Sequence, residues 1–369
     1  MNKIGVLTIH FGVNYGSALQ AYALNKILNE KKANVELINY VPKKYGIWNQ
    51  FYNENKNKYN TVVIIVGYII KFIPRIKKRI VFERFLNNNL TITEKINSQS
   101  TLQRYFKNYQ GIIVGSDQVW NSDYNLEESK IYYLSSLPNE IKRYSYAASF
   151  GKEQLNETDK RYIVNELNKF RKISTREDTG VSLLREFKLN STLVLDPTLL
   201  IDKKKWISLF NLKQIKGKKF LLIYVMDYQF EDLINQAIKV ADYLDLDIYV
   251  IAFKKYKHPR VKKCFVNLDP KEFLEVILNC SFVVTNSFHG IAFSINFKKD
   301  FFAIAKDKYN SRIESLLRIC SLEERMIKRE KAIELQAIKP IDYNLIDNKL
   351  EIYRNQSSKY IDSIISEIG

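Results

Sequence analysis

Residues Ser281–Phe297 read SFVVTNSFHGIAFSINF. The run SFVV has the composition of a short buried strand, TNS is a polar turn, and FHGIAFSINF returns apolar residues at helical spacing. A strand that hands over to a helix through a tight turn is the repeating unit of a parallel α/β sheet. His289 falls at the first turn of that helix, where unpaired N–H groups point outward and favour anions. Its imidazole can give or take a proton near neutral pH. The chain has only three histidines. Asn286 and Ser287 can cap the helix or bond a ligand, and Gly290 lets a ligand or a neighbouring strand come close. Two readings of His289 stand at this point: a proton-transfer group, or a histidine satisfied inside a domain interface.

The same alternation runs outward in both directions. In the first half, KIGVLTI (Lys3–Ile9) reads as a strand, YGSALQAYALNKILNEK (Tyr15–Lys31) as a helix and VELINY (Val35–Tyr40) as a strand. GIIVGSD (Gly111–Asp117), RYSYAASFG (Arg143–Gly151), RKISTRE (Arg171–Glu177) and STLVLDPTLL (Ser191–Leu200) read as further strands ending in polar turns. The pattern restarts with KKFLLIYVM (Lys218–Met226), and DPKEFLEVILNC (Asp269–Cys280) opens a helix with an N-cap and a proline. Continuous apolar strands alternating with helices mean parallel sheets covered on both faces. The fold class expected is α/β: an N-terminal Rossmann-like domain over 1–200, a second over 201–340, and a C-terminal helix over 341–369 packing back on the first.

Composition bounds the rest. Hydrophobic content of 46% and charged content of 27% suit a folded protein with a large core. Cys264, Cys280 and Cys320 share no metal-ligand spacing and read as reduced cysteines of a cytosolic protein. No metal is expected, since no histidine pairs with a second ligand at binding distance in sequence. The start MNKIGVLTIHFG reads as a strand rather than a signal peptide. The longest apolar run, Val62–Ile70, is too short for a membrane span, which takes about 20 residues. With PRIKKR (Pro74–Arg79) behind it, it reads as a buried element or as an interfacial segment on an anionic membrane. The net charge of +18 points to an anionic partner: phosphorylated substrate, membrane surface or nucleic acid. No nucleic-acid motif with its spacing is present, so nucleic acid is the unlikely partner.

Ligands of open parallel sheets sit outside the carboxyl ends of the strands. Arg176, in STREDTG, is at such an end and can grip a carboxylate or phosphate, or pair with Glu177 or Asp178. Arg312, in NSRIESLL, poses the same choice. In VGSDQVWN, Asp117, Gln118, Trp120 and Asn121 combine an indole with polar groups, as a sugar-binding surface would; a buried Trp beside a capping Asp is the alternative. In NYGSALQ, Asn14, Tyr15 and Gln20 flank Gly16, which permits close approach.

Taken in order, NYGSALQAYAL, GSDQVWN, YAASFG, STRED, LDPTLL and TNSFHGIAFSINF resemble the polysaccharide pyruvyl transferase family. The resemblance implies two Rossmann-like domains facing across a cleft in a GT-B-like arrangement. It implies no cofactor: phosphoenolpyruvate is a co-substrate whose pyruvyl group bridges two hydroxyls of one sugar as a cyclic ketal, releasing phosphate. By that resemblance His289 is the general acid/base. By the same resemblance Arg176 binds the donor; from their side chains and placement, Asn286, Ser287 and Gly290 are assigned to the donor, and Asn14, Tyr15, Gly16, Gln20, Asp117, Gln118, Trp120 and Asn121 to the acceptor. Some members carry Arg-Leu-His where this chain has Ser287-Phe288-His289, so the donor needs another cation, and Arg312 is the candidate. The acceptor implied is a sugar of a cell-surface polysaccharide or a lipid-linked oligosaccharide, met in the cytoplasm or at the inner face of the membrane. Two other functions share these features: a glycosyltransferase with a nucleotide-sugar donor, and a non-catalytic binding protein of the envelope pathway.

Overall fold

The computed structural model describes residues 3–43, 76–124, 130–155, 157–215, 217, 219–225, 231–252, 254–306, 308–328, 334–335 and 338–369. The apolar run Val62–Ile70, Pro74 and Arg75 of PRIKKR, and Met226–Tyr228 lie outside the described residues.

The chain opens with β1 (Lys3–Leu7), α1 (Tyr15–Glu30) and β2 (Asn34–Leu37). Helix α2 (Gln99–Phe106) leads to β3 (Gly111–Val114) and β4 (Lys142–Ser145). Then come α3 (Glu157–Leu167), β5 (Ser174–Thr175), α4 (Asp178–Glu186) and β6 (Thr192–Leu193). The strands are parallel in the order β2-β1-β3-β4. Bridges from Tyr144 to Lys172 and from Ala148 to Thr175 carry the sheet on to the parallel pair β5-β6.

Two short helices follow, α5 (Pro197–Leu200) and α6 (Lys203–Phe210). The second half contains β7 (Phe220–Tyr224), α7 (Glu231–Tyr243), β8 (Asp247–Ile251), β9 (Val261–Phe265) and α8 (Pro270–Asn279). After these come β10 (Phe282–Thr285), α9 (Phe288–Asn296), β11 (Asp300–Ile304), α10 (Ser311–Cys320) and β12 (Met326–Ile327). Every strand of this sheet is parallel, in the order β12-β11-β10-β7-β8-β9. The central strands FVVT and FLLIY are buried at every residue, as strands covered on both faces must be.

The carboxyl edges of the two sheets meet, and α1 is wedged between them. Asn14 caps this helix by accepting the Ser17 N–H at 3.2 Å, and the helix is buried around most of its circumference. Tyr15 stacks on Phe273 of α8 with ring centroids 4.4 Å apart, and Tyr22 packs on Phe210 of α6. The last helix, α11 (Tyr343–Ile368), touches both sheets. Its Tyr343 hydroxyl donates to the Lys299 carbonyl beside the second sheet, and its Tyr360 hydroxyl donates to the Ser145 carbonyl at the end of β4, at 2.9 Å.

Two residues of α11 separate packing from exposure. Ile364 is 1% exposed in the core, whereas Leu345 is 64% exposed. Ile364→Ala should lower stability by about 2–5 kcal/mol, and Leu345→Ala should stay within about 0.5 kcal/mol of the parent. Urea unfolding of the full chain followed by circular dichroism measures both. Equal effects would mean that α11 is not held by its buried face.

Candidate active site

Four strand ends of the first sheet and one helix of the second converge on a buried cluster of charge. Asp196 follows β6 and caps α5: its Oδ1 accepts the Thr198 N–H at 3.0 Å and the Thr198 hydroxyl at 2.7 Å. Its Oδ2 accepts the Ser116 hydroxyl at 2.7 Å and Arg176 Nη1 at 2.8 Å. Ser116 follows β3 and Arg176 follows β5, so three turns separated in sequence meet on one carboxylate. His289, at the start of α9, presents Nε2 to the same Oδ2 at 3.7 Å. That is an ion-pair distance and too long for a hydrogen bond. Accordingly, Nε2 has no hydrogen-bond partner.

Asp117 closes the circuit. Its carboxylate accepts the Ser17 hydroxyl from α1 at 2.6 Å and faces Arg176 Nη2 at 3.3 Å. Its backbone is left-handed, with φ of +81°, a strained conformation that Asp tolerates better than most residues. Glu177 Oε1 accepts the N–H groups of Phe150 and Gly151 at 2.9 and 3.2 Å, which pins the YAASFG turn onto the same cluster.

The electrostatics follow from burial set against partners. Burial alone would raise the Asp196 carboxyl; the charges of His289 and Arg176 and the Thr198 hydroxyl overcome it and hold that carboxyl well below the usual range. Asp117 is likewise lowered, burial being outweighed chiefly by Arg176 and His289. For Glu177 burial wins over Arg176, and its carboxyl is raised. Arg176, caught between Asp196 and Asp117, is raised despite its burial.

This arrangement revises several expectations. The Arg176 side chain has no exposed surface; it is paired with Asp196 and Asp117 and covered by the Phe288 ring, whose centroid lies 4.4 Å from Cζ. In this state it is therefore no open grip for a donor. Trp120 is wholly buried, stacks on Tyr133 and donates its indole N–H to the Tyr132 carbonyl, so it offers no face to a sugar. Tyr15 lies in the inter-sheet core with its hydroxyl donating to the Leu268 carbonyl. Gln20 is buried and spends its amide N–H groups on Thr8, Ile9 and Ser17. In this state these side chains serve packing.

Gln118 and Asn121 are also buried, against Gly151. Gly290 accommodates a strand: a Cβ there would lie 2.5 Å from Thr285 Oγ1. Ser287 caps α9 by accepting the Gly290 N–H, and Asn286 is buried beside it. Arg312, in the first turn of α10, is half-buried and close enough to lower both the Asp117 and Glu177 carboxyls. Among the described residues no cluster has the makings of a metal site, and no helix is long and apolar enough to cross a membrane. Part of the basic surplus is paired on the surface, as in Arg260 with Asp242 and Lys262 with Asp247.

Asp196, absent from the sequence-derived site, is the hub of the cluster. Its sequence signals were the turn in LDPTLL and the place of that stretch among those that resemble the family. Gly16 is the second surprise, because the group that closes on it belongs to the protein. A Cβ at position 16 would lie 1.9 Å from His289 Nδ1.

Two outcomes follow. In an unobstructed helix Gly→Ala gains about 1 kcal/mol; Gly16→Ala should instead lower the unfolding midpoint and drive the His289 ring away from Asp196. Calorimetry reads the first effect and ring ¹⁵N signals the second, and a raised midpoint with unmoved signals would show that the contact imposes nothing. Asp196→Asn breaks a buried pair and should cost about 3–5 kcal/mol near neutral pH. A lowered carboxyl contributes stability that is present above its unfolded value of about 3.9 and lost as pH falls below it. The gap between variant and parent should therefore narrow below about pH 4, measured by denaturant midpoints across pH.

Comparison with known proteins bears on the fold and on the family. No curated protein matches the chain. Among solved structures, one similar fold is the Listeria monocytogenes protein assigned as a UDP-N-acetylglucosamine 2-epimerase. Its TM-score is 0.51 at 10% identity, covering 97% of this chain and 90% of that one. Another is MnaA of S. aureus solved with UDP, with a TM-score of 0.50 at 13% identity, covering 97% and 91%. At such identities the likeness concerns the fold alone: two parallel α/β sheets in a GT-B-like arrangement. A family model described as polysaccharide pyruvyl transferase matches residues 14–308. That span takes in α1, the buried charge cluster and α9, and the chain belongs to the polysaccharide pyruvyl transferase family.

Proposed function

We propose that the chain transfers the pyruvyl group of phosphoenolpyruvate to two hydroxyls of one sugar, forming a cyclic ketal and releasing phosphate, with His289 as general acid/base. The observation that carries this reading is a closed ring of contacts. Gly16 meets His289, Ser17 meets Asp117, Asp117 meets Arg176, Arg176 meets Asp196 and Asp196 meets His289. Stretches that resemble the family in sequence thus come together around one proton-carrying ring.

In the proposed step, His289 delivers a proton to the methylene carbon of the donor, which becomes a methyl group. The adjacent carbon becomes oxocarbenium-like, a sugar hydroxyl adds to it, and His289 recovers that hydroxyl's proton. Cleavage of the carbon–oxygen bond to phosphate regenerates the cation. The second hydroxyl then closes the ring, and its proton leaves with phosphate. The donor anion is met by Arg312 and by the start of α9, where the helix dipole favours negative charge. His289 is only 6% exposed and its Nδ1 edge is filled by Gly16, so substrate entry requires α1 and α9 to draw apart.

Incubation with phosphoenolpyruvate and extracted lipid-linked glycans should give phosphate and a product heavier by one pyruvyl ketal in mass spectrometry. His289→Gln should lower turnover by about 10²–10⁴-fold with the fold intact. Consumption of a uridine or cytidine nucleotide with no ketal would instead assign a glycosyltransferase reaction.

A further inference from the structure

We propose that Asp196 is a positioning residue for His289: its fixed carboxylate holds the Nε2 edge of the ring and thereby determines that Nδ1 is the nitrogen turned toward α1. The inference rests on the proposed role of His289 as proton carrier.

The hydrogen bonding at Asp196 exceeds what a helix cap needs. Capping α5 takes one bond, from the Thr198 N–H to Oδ1. Three more donors converge on the carboxylate: the Thr198 hydroxyl, the Ser116 hydroxyl and Arg176 Nη1. Two of these come from other strand ends and land on Oδ2, the oxygen that faces His289. A carboxylate has about four acceptor directions, so four donors leave it one orientation. Across from it, Nε2 is buried with no hydrogen-bond partner. At 3.7 Å the carboxylate acts on a protonated Nε2 through charge, its acceptor directions being taken by the other four donors. Gly16 limits the ring on the other side, since the space at Nδ1 admits no side chain. The imidazole is thus bracketed by a charge on one edge and a backbone on the other. A carboxylate that sets the tautomer and orientation of a catalytic imidazole is worth about 10⁴-fold in kcat where the two are hydrogen-bonded. The longer contact here implies a smaller effect.

A double-mutant cycle tests this. Asp196→Asn should lower kcat by about 10²–10³-fold while moving the donor KM by no more than about threefold, because the carboxylate acts through the ring. In the His289→Gln background the same substitution should change kcat by less than about threefold. Equal losses in both backgrounds would overturn the proposal and leave Asp196 a structural residue. A second readout does not need catalysis. With only three histidines in the chain, ¹⁵N-histidine labelling gives a simple spectrum. Asp196→Asn should shift the ring signals of His289 and leave those of His10 and His258 in place; unmoved His289 signals would overturn the positioning role whatever the reaction proves to be. Absence of ketal in the parent enzyme, with the His289 signals still responding to Asp196, would sink the proposed function and keep the positioning. Should Asp196→Asn fail to fold, Thr198→Val removes one donor to Oδ1 and keeps every charge. It should reduce kcat by about 5–20-fold and shift the same signals, and no change in either would overturn the proposal.

Discussion

A guanidinium with no access to water is the constraint on which this structure turns. An unpaired buried cation costs far more than a domain's net stability, so Arg176 has to be met by carboxylates. Asp196 and Asp117 meet it at 2.8 and 3.3 Å, and Glu177 stands at 4.0 Å from Nε. Each carboxylate lies in a turn at a strand's carboxyl end, and each has a second task. Asp196 caps α5, Asp117 bonds α1 through Ser17, and Glu177 holds the loop after β4. One charge requirement therefore fixes the relative positions of four loops. The other sheet contributes Phe288, whose ring covers the guanidinium, and His289, the next residue, is carried to Asp196 by the same turn of α9.

The second constraint is steric. Helix α1 approaches α9 closely enough that position 16 admits no Cβ, and α9 lies on β10 closely enough that position 290 admits none. Both glycines allow backbone to approach a side chain, and the histidine is held by that fit. Beyond the cluster, the boundary between the sheets combines the apolar packing around α1 with polar pairs. Arg318 bonds both oxygens of Asp178, Tyr309 donates to Asp123, and Asp178 N–H donates to Ser315. Exposed pairs of this kind are worth less than about 1 kcal/mol each.

The sheets were legible in the sequence because buried parallel strands are unbroken apolar runs, as in FVVT and FLLIY, and because Asp269-Pro270 announces its helix with a capping box that the structure contains. Two strands were misjudged. RKISTRE reads as a strand to Glu177, yet β5 ends at Thr175, since Glu177 serves as the N-cap of α4. VKKCF was not read as a strand, because β9 is an edge strand and its lysines mask the alternation while protecting the edge. At the cluster, the place of His289 between strand and helix was legible from its sequence context. The burial of Tyr15, Gln20 and Trp120 was not legible: α1 is buried on nearly all sides, so Tyr15 and Gln20 carry no amphipathic signal, and a polar turn around Trp120 gives no hint that the indole points inward. Asp196 escaped because a DP turn identifies a cap and says nothing of who else shares the carboxylate.

The chain's departure at Ser287 fits the same balance of charge. A cation at position 287 would stand at the N-terminus of α9, next to a helix dipole of the same sign and near Arg176. Ser287 instead accepts the Gly290 N–H and begins the helix at no electrostatic cost. The cluster then contains Arg176 balanced by Asp196 and Asp117, with Arg312 acting on Asp117 from α10. A dianion entering here cannot be neutralised by Arg176 while its two carboxylates remain in place. Arg312 lies on α10 of the second sheet and its carboxylate neighbours lie on the first. Drawing the sheets apart removes Asp117 and Glu177 from Arg312 while leaving Arg312 on the same sheet as His289. Opening uncovers the imidazole for entry but also carries Asp196, on the first sheet, away from the ring, so the proposed proton transfer belongs to the state in which the two sheets have closed again.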